Sequence, residues 1–133
     1  MTQITPTIDY WTEPTPYTVT FQTGTATYMR PGLMEQVVEN RGMQLAGRIP
    51  VALNRAGDLG RYVWLEWTDG TIQAAIAVDC AQKQHFPTRS KQRRIVEVSA
   101  EIAQAHGFYN HGPVPVKVWF QPPPQLRSKR HGR

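Results

Sequence analysis

The sequence predicts a small, mainly β domain, and three observations carry that expectation. First, YVWLEW (62–67) and TIQAAIAV (71–78) alternate apolar with other residues, the pattern of strands that set one face on a core. Second, Asp69-Gly70 lies between them, and this dipeptide tolerates the positive φ angles of a tight hairpin turn. Third, further short runs rich in β-branched and aromatic residues recur along the chain, separated by Gly and Pro.

Residues 1–16 form a Thr- and Pro-rich stretch that favours an extended arm, suited to packing on another subunit. YTVTFQ (17–22) and GTATYM (24–29) read as a hairpin-like entry or as one bent strand, and Arg30-Pro31-Gly32 as a turn. Leu33, Met34, Val37 and Val38 repeat at helical spacing, so a short helix is expected over 33–41, closed by Gly42. A short apolar run at 49–53 ends at Asn54. In the strand after the hairpin turn, Ile72, Ala74, Ile76 and Val78 share one face. Strict alternation then sends Asp79 to the other. IVEV (95–98) is another strand, and Ser99 is a good N-cap for a helix through Ile102 and Ala103 to His106, stopped by Gly107. The last strand, 114–120, carries Pro115 near its start, where a missing N–H is tolerated. Pro122-Pro123-Pro124 ends the domain, which gives an arm at 1–16, a barrel-sized domain at 17–121 and a Pro-rich, then basic tail at 122–133.

Composition bounds the rest. A chain of 133 residues with 40% hydrophobic residues and four Trp builds one modest core without disulfides or a structural metal. The net charge of +5 resides largely in Arg127, Lys129, Arg130 and Arg133 of the tail, which leaves the remainder nearly neutral. A second basic cluster, Arg89, Lys91, Arg93 and Arg94, precedes the IVEV run. One cysteine, Cys80, excludes an internal disulfide and multi-cysteine zinc patterns. The histidines at 85, 106, 111 and 131 are scattered, so neither a metal nor another cofactor is expected. No secretory signal is recognisable at the amino end, and no apolar run is long enough to span a bilayer. Synthesis in the cytoplasm, with virion association or another export route to a cell wall, is the expected localisation.

The hairpin around Asp69-Gly70, then VDCA, a basic loop, the strand-to-helix unit IVEVS…AHG and the closing GPVPVKV together resemble the RlpA-like double-psi β-barrel superfamily. That superfamily includes the first domain of expansins, barwin-like proteins and the barrel of some membrane-bound lytic transglycosylases. The resemblance extends from about residue 24 to residue 120. It implies a six-stranded double-psi β-barrel with one or two short helices, and a role on peptidoglycan or another wall glycan. Asp79 in VDCA matches the Asp that ends the family's second hairpin strand, and Glu97 in IVEVS stands where the family has Asp. Asn54 falls where wall-cleaving members have His, and Asn cannot exchange a proton near neutral pH. The family's Gly- and Arg-rich loop is replaced by PGLMEQVVENRGMQL, which offers Glu35 and Glu39.

Three functions fit these residues. As a lytic transglycosylase, the chain would use Asp79 as acid/base, with Glu97 as rival or partner, to protonate the leaving oxygen while the sugar's own hydroxyl attacks. In the structural account, Asp79 instead caps a turn and Glu97 pairs with Arg94 or another base of that loop. As a glycan binder, it would set Trp64, Trp67, Phe86, Tyr109 or Trp119 against sugar rings, with Asn54 at the rim and Lys91, Arg93 and Arg94 meeting anionic groups. As an assembly component, such as a virion or tail protein, it would order its arms on neighbouring copies or partners. A nucleic-acid partner rests on the basic tail alone and ranks last.

Overall fold

The computed structural model of the protein describes residues 12–81 and 94–126. Six strands close into a mixed barrel in the order β1-β5-β2-β4-β3-β6, with β6 pairing back onto β1. In chain order they are β1 (Phe21–Tyr28), β2 (Ile49–Leu53), β3 (Tyr62–Trp67), β4 (Ile72–Cys80), β5 (Arg94–Val98) and β6 (Val114–Trp119). Helix α1 (Leu33–Arg41) follows β1, a 3-10 turn (Ala56–Asp58) follows β2 and helix α2 (Ala100–Ala105) follows β5. The pairs β1–β5 and β2–β4 are parallel and the other four antiparallel. This order is unchanged when each strand is replaced by the one three places on, an internal two-fold compatible with a double-psi arrangement.

Local signals account for most element ends. Gly32 and Gly42 flank α1 with φ of 83° and 64°, and the Gly42 N–H donates to the carbonyls of Val38 and Glu39. Ser99 Oγ accepts from the Ile102 N–H at 3.2 Å, capping α2 as its position in the sequence implies. Gly70, at φ 88°, closes the β3–β4 turn by donating to the Trp67 carbonyl at 2.9 Å. The two segments expected before α1 are one strand: Tyr17 and Thr18 lie in a turn, and β1 runs unbroken from Phe21 through Gly24.

Two apolar layers hold the barrel. Its interior is filled by Val51, Leu53, Val63, Leu65, Ala75, Ala77, Val96, Val98 and Val118, with Trp67 and Phe108 toward one end. A second cluster lies outside the sheet, where α1 lays Met34 over Ala52, Ile76 and Val78. The second layer explains why β4 reads as a nearly continuous apolar run: Ala75 and Ala77 face inward while Ile76 and Val78 face the helix. Burying Met34, which is 1% exposed, contributes roughly 1.5–3 kcal/mol to holding α1 in place.

Residues 12–15 form a strap across the 3-10 turn. Thr15 donates its N–H to Asp58 Oδ1 at 2.9 Å and its hydroxyl to Asp58 Oδ2 at 2.6 Å. Arg61 then joins the Thr15 carbonyl, at 2.8 Å, to Asp58 Oδ1, at 3.1 Å. Asp58 is 1% exposed, and this shell of donors is what permits a carboxylate to be buried there. The base of the expected arm is therefore seated on the barrel of its own chain.

Candidate functional site

A bulge decides where the candidate carboxylates stand. Along the parallel β2–β4 pair, Val51 is opposite Ala77 but Ala52 is opposite Asp79, so Val78 is the extra residue. Strict alternation would put Asp79 on the face opposite Ile76 and Val78; the bulge instead brings it to the α1 side, beside Ala52. There the Arg41 Nη2 at the end of α1 donates to Asp79 Oδ1 at 2.9 Å. On the other side of β2, Ala52 is opposite Glu97, and Glu97 is opposite Thr27 of β1. One lateral row, Thr27–Glu97–Ala52–Asp79, thus crosses four strands. It sets the two carboxylate-bearing residues two strand spacings apart, roughly 10 Å between backbones.

Glu97 lines two hollows, while Asp79 is a quarter exposed beside Arg41. A small hollow is lined by Thr27, Ala52, Asn54, Arg94 and Glu97. A larger one, about 270 Å³, is lined by Thr27, Tyr28, Arg94, Glu97, His111 and Pro113. Asn54 is used structurally: its Nδ2 donates to the Arg94 carbonyl at 2.9 Å, tying the end of β2 to the start of β5. Asn54, Glu97 and Arg94 therefore meet at one place, with Asp79 one strand beyond.

His111 is a lining residue that sequence reasoning passed over. It is delivered by a turn in which Asn110 holds φ at 67°, a conformation Asn tolerates better than most residues. The Asn110 N–H donates to the Tyr28 hydroxyl at 2.8 Å, and the His111 N–H donates to the Phe108 carbonyl at 3.0 Å. The signal available in the sequence was the His after an Asn in a Gly-flanked loop, a weak one.

Trp64, Trp67 and Trp119 are not among the residues that line these two hollows. Trp67 is 4% exposed, donates its indole N–H to Gln73 Oε1 at 2.7 Å and stacks on His106. Trp64 lies on the outer face beside Ala74, five residues before Asp79, or roughly 17 Å along β4. Its ring lies under the Arg48 guanidinium, 4.7 Å from the ring centre, and the same guanidinium covers Tyr62 at 4.0 Å. Trp119 donates to Glu66 Oε1 at 2.8 Å and packs on Phe21. Tyr109 packs on Tyr28, which lines the larger hollow. Phe86, Lys91 and Arg93 lie outside the described residues, as do the arm before residue 12 and the basic tail beyond residue 126.

Cys80 follows Asp79. Burial pushes its thiol above the ordinary range, the Asp79 carboxylate pushes it further, and Arg41 acts the other way. Among the described residues no group of three or more His, Cys, Asp or Glu side chains is placed to hold a metal ion. No described helix is long and apolar enough to cross a membrane.

Fold and site together define a six-stranded mixed β-barrel with a carboxylate-centred hollow on its outer surface. No protein-family model matches the chain, and no curated protein matches it.

Proposed function

We propose that this barrel recognises a wall glycan of the peptidoglycan type, in the manner of a divergent RlpA-like double-psi barrel, and that Glu97 is the centre of its binding surface. The observation that supports this reading is the Thr27–Glu97–Ala52–Asp79 row beside the Glu97 hollow. A carboxylate, a guanidinium and an imidazole around one hollow match the hydroxyl, amide and carboxylate groups of a wall sugar with its peptide stem. Recognition is favoured over cleavage for two reasons. Arg41 holds one oxygen of Asp79, and the Asn54 amide is engaged with backbone where a cleaving site would keep a group able to exchange protons.

The test is co-sedimentation of the full chain with peptidoglycan sacculi, followed by analysis of the soluble fraction. Wild type is expected to sediment, Glu97→Gln to lose most of that binding, and no anhydro-muropeptides to appear. Product that vanishes in Asp79→Asn or Glu97→Gln would make the protein a transglycosylase, and failure to sediment would end the glycan reading.

The seated strap favours a second reading, an assembly component such as a virion or tail protein. Asp58 and Gly57 seat residues 12–15 on the barrel, which gives the expected arm a fixed base, as docking on neighbours requires. Sedimentation velocity of the full chain, alone and with deletion of residues 1–11, tests it: an oligomer that falls to monomer on deletion supports assembly through the arm.

A further inference from the structure

A second hollow, about 440 Å³, lies where the β3–β4 turn faces the end of α2. Thr68 and Asp69 line it from the turn and Gln104 and His106 from the helix, over Trp67 and Pro115.

The hydrogen-bonding state of His106 follows from its neighbours. The Trp67 indole can only donate, so the Gln73 atom that it meets at 2.7 Å is the amide oxygen. His106 Nε2 lies 2.9 Å from that same oxygen, so it must donate as well and carry a proton. In the neutral ring, Nδ1 then holds the lone pair. The ring is further fixed by stacking on Trp67 at 4.1 Å between centres and 23° between planes. Burial holds His106 below its ordinary titration range, against the pull of the Asp69 carboxylate, which keeps the ring neutral at neutral pH.

Asp69 is the charged neighbour. Its Oδ1 accepts both the N–H and the hydroxyl of Thr71, at 2.9 and 2.7 Å, and the Thr71 N–H in particular holds the carboxyl below the usual carboxylate range. Among the described residues, neither Asp69 nor His106 belongs to an ion pair. Among its described lining residues the hollow has the Asp69 carboxylate and the His106 imidazole, whose Nε2 is tied to Gln73, and it has no Lys or Arg.

We propose that this hollow binds a primary ammonium group, which donates to the Asp69 carboxylate and to Nδ1 of His106. An ammonium carries three donors and one positive charge, matching two acceptors and one negative charge. The site is independent of the Glu97 surface and of any glycan.

The experiment is NMR of the full chain labelled with nitrogen-15, reading the His106 ring nitrogens during titration with propylammonium and, in parallel, 1-propanol. The free protein is expected to show the Nε2–H tautomer. Propylammonium should shift Nδ1 with a Kd on the order of 1 mM, as suits a four-atom ligand, and 1-propanol should not. Asp69→Asn retains an acceptor for Thr71; it should weaken binding roughly tenfold while the tautomer pattern persists. An Nδ1–H tautomer, equal shifts from the alcohol, or an unaffected Asp69→Asn would each overturn the assignment. An arm with N-acetyl-lysine methylamide separates the sources: tighter binding than propylammonium identifies a lysine side chain of a partner, equal or weaker binding a free amine.

Discussion

Gly57 shows how much one missing side chain decides. A methyl group placed on it would collide with the backbone of Thr12, Glu13 and Pro14, well inside contact distance, so only glycine lets the strap cross there. Gly57→Ala is therefore expected to destabilise the fold by about 1–3 kcal/mol, the usual range for overpacking, seen as a lower urea midpoint with little change of slope. An unchanged midpoint would mean that the strap contributes nothing to the folded state. A second residue-scale prediction concerns Cys80. Since the Asp79 carboxylate helps to push its thiol up, Asp79→Asn should raise the fraction of thiolate at any pH below the thiol's titration. Alkylation by iodoacetamide at mildly alkaline pH is expected to speed up severalfold in Asp79→Asn and to slow in Arg41→Ala; the opposite order would refute this electrostatic account.

At the scale of elements, legibility follows how local the cause is. The β3–β4 hairpin, both helices and their caps are written in neighbouring residues: Asp69-Gly70, Gly32, Gly42 and Ser99 each act within one turn of themselves. The strap was not legible, because it depends on Asp58 meeting Thr15 across 43 positions. The side on which Asp79 stands was hidden for a related reason, since one bulge at Val78 overrides a strand's alternation and only its pairing with β2 reveals it. Trp64 and Trp67 could be assigned to opposite faces by parity, but nothing local said that Arg48 would cover the outer one. The end of α2 adds a pH prediction. His106 is held below its ordinary value of 6.5 in the folded state, chiefly by burial. Between that lowered value and 6.5 the unfolded chain binds more protons than the folded one, so stability rises with pH across this window and is lost as pH falls from 6.5. Denaturation midpoints at pH 5 and pH 7.5 should therefore differ in the wild type, and by less in His106→Gln. An equal difference in both proteins would assign the effect to other groups.

At the scale of the whole molecule, the barrel order has a consequence for folding. Reading round β1-β5-β2-β4-β3-β6, strands from the first and second halves of the chain alternate without exception. No strand pair lies within either half; β1 is flanked by β5 and β6, β2 by β4 and β5, and β3 by β4 and β6. Of the six pairings only β3–β4 is a local hairpin, and the other five must close long loops before any hydrogen bond repays the lost entropy. Fragments cut within the hairpin turn, 1–69 and 70–133, should each lack cooperative structure, because neither contains one native ladder. Their equimolar mixture should recover the β-type circular dichroism of the intact chain, with a concentration-dependent midpoint, and the intact chain should refold in milliseconds to seconds rather than microseconds. Trp67 and Trp119, both buried, supply the fluorescence signal. A first-half fragment that melts cooperatively by itself would show that the interlocked order is not what holds the barrel together.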